Sequence, residues 1–449
     1  METADLIVIG SGQGGIPLAS DFAREGRKVV LFERDVLGGS CINYGCTPSK
    51  AFLAAASAAG RARQAEKLGI HAQVNVDFPA VMQRVRSIRD SFNQGIRKRL
   101  EDAGVKIVFA EASFMGERTV IGGEVTVQAP IVVINTGTSS LIPALPGLAE
   151  TPYLTNRNFF ELQALPPRLL VIGGGYIGLE LGQGLARLGS QTQIIVRSDR
   201  VLDREESEVG ETLAQAFERD GIGLHCNTKV EQVTHTDGVF TLTLDRGEVQ
   251  GEALLVATGR QPNTKALNVG VTGVELDDRG YIKINDHFHT TCDGVYAIGD
   301  AAGQPAFTHV SWEDYRRLKA ILSGEERTRS DRVLGYAVYT EPQVGRVGMT
   351  LEQARQKGIN ARSATLHMSQ IARAIEWGHD LGFYRMVVDN DTDKILGATL
   401  VGYEAAEIVH VFLSLIEAGA TWQLLERSVH IHPTYGEALP SLARLLYSN

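Results

Sequence analysis

The residues best suited to chemistry lie in Gly38-Gly-Ser-Cys41-Ile-Asn-Tyr-Gly-Cys46-Thr-Pro-Ser-Lys50. Two cysteines spaced C-x4-C on one helical turn reach each other as a dithiol or a disulfide, and the thiolate form is the nucleophile. A thiol of pKa about 8.5 is only about 3% ionised at pH 7, so nearby positive potential must lower it. A helix beginning near Cys46 supplies part of that potential at its N-terminus. A complementary group stands in His430-Ile-His432-Pro433-Thr434-Tyr-Gly-Glu437, where Glu437 could hold one imidazole nitrogen of His432 and leave the other as a base. Cys41, Cys46, His430 and His432 also form a zinc-type ligand set, the main non-enzymatic alternative. The adjoining nucleotide fingerprint, the proline after His432 and the presence of Lys50 favour redox chemistry and no metal. Cys226 and Cys292 lack a cysteine neighbour and read as ordinary buried thiols.

Two glycine fingerprints surround this centre. Gly10-Ser-Gly12-Gln-Gly-Gly15 follows a short apolar strand and opens a helix, where bare backbone N–H groups can approach a pyrophosphate. Glu33 ends the next strand and could accept hydrogen bonds from a ribose 2′-OH. Gly173-Gly-Gly175-Tyr-Ile-Gly178 repeats the plan, but the matching strand end carries Arg197 and Arg200, which favour a 2′-phosphate and hence NADPH over NADH. Asp199 and Asp203 partly neutralise these arginines.

The elements that position these residues follow from hydrophobic periodicity. Asp5–Gly10, a helix through Arg24 and a strand from Arg27 to Phe32 form one βαβ unit; Arg168–Gly173, a helix through Leu188 and Gln191–Val196 form another. Ala51–Lys67 and Phe78–Ala103 read as helices, and Ile131–Gly137 and Ala253–Gly259 as strands closing on Thr-Gly. Prolines at 143, 146, 166 and 167 mark an entry linker, and Arg260-Gln-Pro262-Asn263 an exit. From about Val333 the pattern becomes α+β, with strands Tyr336–Tyr339, Phe383–Asp389 and Leu396–Val401 before helices Glu404–Gly419 and Thr421–Arg427.

Composition bounds the rest. The chain has 449 residues, 43% hydrophobic, enough for about three domains. A net charge of −9 without a basic tract argues against nucleic acid or an acidic membrane as partner. Ile408–Ile416, interrupted by His410 and Ser414, falls short of the roughly 18 apolar residues of a membrane span. Four cysteines exclude a secreted disulfide framework, and the start Met-Glu-Thr-Ala-Asp5 leads into a strand, so a reducing cytoplasm is expected.

Taken together, these motifs resemble the flavin-dependent pyridine nucleotide–disulfide oxidoreductases, the group of glutathione reductase, dihydrolipoamide dehydrogenase and mercuric reductase, over essentially the whole chain. The resemblance implies an α/β protein with two Rossmann-like domains and a C-terminal α+β dimerisation domain. It implies FAD binding by residues 1–148 and 264–332, NAD(P) binding by 149–263, and an interface domain at 333–449. Gly10, Gly12, Gly15 and Glu33 resemble the FAD fingerprint, and Thr291 to Asp300 the second FAD motif, with Asp300 at the ribityl chain. Gly39, Ser40, Lys50, Thr136, Gly137 and Ala301 are implied beside FAD. Gly173, Gly175, Gly178 and Glu180 resemble the NAD(P) fingerprint, with Tyr176 as its gate and Gly259 and Arg260 nearby.

By the same resemblance Cys46 is the inner, charge-transfer thiol and Cys41 the outer one that meets substrate. Lys50 with Glu180 is the ion pair near flavin N5. His432 with Glu437 is the base, lent by the partner subunit of a homodimer. Retention of His432 and an end in Leu-Leu-Tyr-Ser-Asn449 instead of a cysteine pair weigh against mercury as acceptor. Ser20 and Asp21 weigh against glutathione, and the arginines at 197 and 200 against lipoamide. The sequence is most similar to the mercuric-reductase-like bacterial branch that includes the reactive-chlorine-resistance flavoprotein, implying a small disulfide or other small oxidant as substrate. Mercuric or other metal-ion reduction and dihydrolipoamide dehydrogenase activity are the alternatives within the family; an oxygen-reducing oxidase working through a sulfenic acid is a third reading, which generally needs one reactive cysteine, not two.

Overall fold

The computed structural model describes residues 1–303 and 305–448; Gln304 and Asn449, the last residue of the terminal stretch weighed above, lie outside the described residues. A five-stranded parallel sheet runs in the order Val295–Ala297, Ile131–Ile134, Leu6–Ile9, Val29–Glu33, Lys106–Phe109. It therefore draws one strand from far beyond the second nucleotide fingerprint. Leu6–Ile9 and Val29–Glu33 are buried throughout, which is why they read as unbroken apolar runs: a parallel sheet covered on both faces has no polar side. A second parallel sheet orders Gly223–His225, Gln191–Ile195, Arg168–Ile172 and Ala253–Val256. Each sheet's first strand turns directly into a helix, Gly15–Arg24 and Tyr176–Leu188 respectively.

The passages between the sheets run side by side, Thr138–Ser140 pairing antiparallel with Arg260–Pro262. The C-terminal part is a five-stranded antiparallel sheet, Gly335–Val338, Gln343–Gly348, Ile395–Gly402, Phe383–Asp389 and Ala361–His367 in that order. The helix Ala405–Glu417 lies so close to it that a Cβ on Gly345 would stand 2.5 Å from the Ala405 carbonyl oxygen. The expected α/β class with an α+β C-terminal domain is what the chain adopts.

Several details differ from expectation. The helix expected to begin near Cys46 does begin there, but it ends at Arg63, with a 3-10 turn at Ala65–Leu68, instead of running on to Lys67. Cys41 lies on a separate short helix, Gly39–Asn43, so the cysteines do not share one helical turn. The antiparallel strands between Ser113 and Gln128 and between Val230 and Gly251, and the helices Ser207–Arg219, Thr308–Leu322 and Ala438–Arg444, had no counterpart in the sequence reading. Cys292 is buried as expected, whereas Cys226 is only half-buried. Among the described residues no helix is long and apolar enough to cross a membrane.

Candidate active site

The first fingerprint forms one wall of a cleft of about 1250 Å³. Gly10 has φ +101°, and a Cβ there would lie 2.4 Å from the Asn135 carbonyl oxygen, so only glycine fits the turn. Gly12, Gly39, Ser40, Thr136, Gly137 and Arg260 also face the cleft. Gly15 stands behind it, its N–H donating to Asn135 Oδ1 at 2.9 Å. Glu33 lines the cleft, with Oε2 accepting from the Ser11 N–H at 3.0 Å and the Ser11 hydroxyl at 2.5 Å, and Oε1 accepting from the Asp35 N–H. A carboxylate has further lone pairs for a ribose hydroxyl.

Asp300 is joined to this wall through Thr138, whose hydroxyl donates to it at 2.7 Å, and Ala301 is buried behind it. Burial pushes the Asp300 carboxyl above its ordinary value, against Thr138 and Arg260. The Thr136 hydroxyl is buried without a partner among the described residues, a polar atom left for a ligand. Volume, bare glycine backbone and this orphaned hydroxyl together fit a dinucleotide such as FAD.

At the second fingerprint Gly173 has φ +124°, and a Cβ would meet the Ala257 carbonyl oxygen at 2.3 Å. Gly175 has open space before it, and Gly178 packs on the Gly173 carbonyl. Tyr176 starts the helix, with its hydroxyl donating to the Ala306 carbonyl at 3.4 Å and its ring 5.7 Å from Phe307. Gly259, at φ +140°, accepts from the Leu141 N–H where the two passages meet. Arg197 is exposed just beyond its strand, whereas Arg200 donates to Asp199 and to the Asp203 carbonyl.

Glycines also bring the cysteines together. Gly38 has φ +103°, and Gly45 passes so close to Ser40 that a Cβ would lie 2.8 Å from its carbonyl oxygen. Both thiols are free in the structure. Contact with the Cys41 thiol, then the Thr308 hydroxyl and the Lys50 ammonium, holds Cys46 below the ordinary thiol value against desolvation. The same contact and burial push Cys41 up. Lys50, one turn along from Cys46, reaches Glu180 Oε2 at 2.8 Å because the two long helices pack closely: a Cβ on Gly184 would meet the Phe52 ring at 2.3 Å.

His432 Nδ1 lies 2.7 Å from Glu437 Oε2, and the ring is 76% exposed. The Thr434 hydroxyl donates to the Ile431 carbonyl and accepts from the Glu437 N–H, which shapes the turn. Among the described residues no hydrogen bond or ion pair joins His432 to either cysteine of the same chain. Nor are the zinc-type residues gathered: no group of three His, Cys, Asp or Glu side chains there could hold a metal. Asn135, Thr138 and Thr308 are among the site residues that sequence reasoning missed. The available signals were a polar residue closing the apolar strand Ile131–Ile134 and a hydroxyl opening a charged helix.

Residues 4–314 match the family model described as pyridine nucleotide-disulphide oxidoreductase, and residues 335–443 match its dimerisation domain. The chain is 30% identical to the probable pyridine nucleotide-disulfide oxidoreductase RclA of Escherichia coli K12, covering 99% of this chain and 100% of that one. It is 35% identical to mercuric reductase of Streptomyces lividans, over 99% and 96% of the two chains. It is 32% identical to dihydrolipoyl dehydrogenase of Halobacterium salinarum, over 97% and 94%. The solved Cu(II) complex of the HOCl-induced flavoprotein disulfide reductase RclA from Escherichia coli superimposes with a TM-score of 0.91 at 29% identity, covering 99% of this chain and all of that one. The chain belongs to the pyridine nucleotide-disulphide oxidoreductase family and is a flavin-dependent, dimer-forming enzyme of that group.

Proposed function

We propose that the enzyme carries electrons from NADPH, through FAD, to the Cys41–Cys46 disulfide and on to a small oxidised acceptor, in a reducing cytoplasm. Gly10, Gly12, Glu33 and Thr136, with Asp300 joined to them through Thr138, would hold FAD, which would supply the two-electron chemistry that links a nicotinamide to a disulfide. The proposed limits are 1–148 with 264–332 for the FAD domain, 149–263 for the NADPH domain and 333–449 for the interface. The observation that carries this assignment is geometric: Cys46 opens the helix Cys46–Arg63 with its sulfur 3.1 Å from the Thr308 hydroxyl, whereas Cys41 lies on the separate short helix Gly39–Asn43.

Reduction of the disulfide by two electrons and one proton leaves Cys46 as the thiolate and Cys41 as the thiol. Cys41, held protonated, needs a base, and His432 of the partner subunit takes its proton, with Glu437 stabilising the imidazolium. The Cys41 thiolate then attacks a disulfide acceptor, forming a mixed disulfide, and His432 gives its proton to the departing thiolate. Cys46 attacks the Cys41 sulfur, restores the Cys41–Cys46 bond and releases the second half of the acceptor. Lys50 and Glu180 tune electron delivery, and Tyr176 gates the nicotinamide side. A metal ion is the second acceptor class, favoured by the Cu(II) complex of the similar RclA.

The deciding experiment is an NADPH-oxidation panel with glutathione disulfide, lipoamide, hypothiocyanite, Hg(II) and Cu(II). Turnover of at least one acceptor that is lost in both Cys41→Ser and Cys46→Ser supports the assignment. Turnover retained without either cysteine overturns it.

A further inference from the structure

The ammonium of Lys50 has a second neighbour besides Glu180. Tyr339 comes from the C-terminal part of the chain, just past the strand Gly335–Val338, and Lys50 Nζ lies 4.2 Å from the centre of its ring. The cation is thus held between the Tyr339 ring and Glu180 Oε2. Among the described residues no group hydrogen-bonds the Tyr339 phenol, so the ring face makes this contact.

The backbone of the same residue completes the pair. The Tyr339 N–H donates to Glu180 Oε1 at 2.9 Å, so both oxygens of a carboxylate that is 4% exposed are engaged, one by Lys50 and one by Tyr339. Tyr339 is itself fixed. Glu180, Gln183 and Arg187 share one face of the helix Tyr176–Leu188 and grip residues 339 to 341. The Glu341 N–H donates to Gln183 Oε1 at 2.8 Å, Gln183 Nε2 donates to the Glu341 carbonyl at 2.8 Å, and Arg187 pairs with the Glu341 carboxylate.

We infer that Tyr339 is a positioning residue for hydride delivery: its ring and its N–H hold Lys50 and Glu180 in register, so that the interface domain sets the group that tunes the cofactor. The inference rests on the proposed role of the Lys50–Glu180 pair. Without the ring, Lys50, whose side chain is 37% exposed, turns toward water.

The test compares Tyr339→Leu, Tyr339→Phe, Lys50→Met and the Tyr339→Leu/Lys50→Met double variant as holoenzymes. The readouts are the anaerobic rate of flavin reduction by NADPH and the flavin midpoint potential. Tyr339→Leu is expected to slow reduction about tenfold and to shift the potential negative, toward that of Lys50→Met. Tyr339→Phe, which keeps the ring, is expected to stay within about twofold of the parent. In the Lys50→Met background Tyr339→Leu adds nothing further, because it acts through Lys50. Parent-like behaviour of Tyr339→Leu, or a factor that multiplies that of Lys50→Met, overturns the inference while leaving the role of the pair intact. An unchanged rate and potential in Lys50→Met itself overturns both.

Discussion

The Cys46 sulfur lies 3.1 Å from the hydroxyl of Thr308, the first residue of the helix Thr308–Leu322. A hydroxyl at that distance donates to a thiolate and has little to offer a thiol, so it favours the charged form. The neighbouring Cys41 thiol, this hydroxyl and the Lys50 ammonium together hold Cys46 below the ordinary thiol range, so that between its depressed pKa and about 8.5 it is a thiolate where a free cysteine is a thiol. The long-wavelength absorption of the reduced holoenzyme should persist as pH falls through 8 and disappear only below it. Thr308→Val should move that midpoint up by about 1 pH unit, the lower end of what one hydrogen bond to a charge is worth. An unmoved midpoint removes Thr308 from the account.

Glu437 holds His432 Nδ1 and the ring stands exposed, the arrangement that the proposed base requires. His432→Ala should reduce disulfide turnover by about 10²- to 10⁴-fold while flavin reduction by NADPH keeps its rate. Glu437→Gln should show a smaller loss of the same kind. Stopped-flow reduction and steady-state turnover separate the two steps, and slow flavin reduction in His432→Ala would contradict the assigned role.

Nucleotide preference should rest on the loop after Gln191–Ile195. Arg197 is exposed and free to meet a 2′-phosphate, while Arg200 must leave Asp199 and the Asp203 carbonyl to do so. Arg197→Ala should raise KM for NADPH about tenfold, the equivalent of about 1.4 kcal/mol, with NADH kinetics unchanged. A stronger preference for NADH in the parent enzyme would overturn the choice of coenzyme.

Gly10→Ala should abolish flavin retention, because it combines φ +101° with a Cβ 2.4 Å from a backbone oxygen. The ratio of flavin to protein absorbance after purification should drop at least about tenfold. Gly104→Ala is the control, since that residue also has positive φ, at +80°, but nothing lies within 4 Å of its Cβ position. Equal flavin loss in both variants would point to general destabilisation.

Much of this architecture is legible in the sequence where local chemistry and fold agree. The buried strands Leu6–Ile9 and Arg168–Ile172 announce themselves as apolar runs ending in glycine, and the spacing from His432 to Glu437 suffices to foresee their hydrogen bond. What was not legible depends on chain segments far apart in sequence. Thr308 reaches Cys46 across 262 positions and Tyr339 reaches Glu180 across 159, and no local pattern carries either contact. The placement of Cys41 and Cys46 on separate helices depends on Gly45 and its approach to Ser40, a backbone effect that C-x4-C spacing does not encode. The four-residue strands between Ser113 and Gln128 are too short for clear alternation, so their sequence carries little strand signal.

The central claim is that Cys46 is the thiolate facing the flavin and Cys41 its outer partner. Anaerobic NADPH reduction of the Cys41→Ser and Cys46→Ser holoenzymes, followed by absorption above the flavin bands, tests it most directly. A long-wavelength band is expected in Cys41→Ser and none in Cys46→Ser; a band that persists in Cys46→Ser contradicts the assignment.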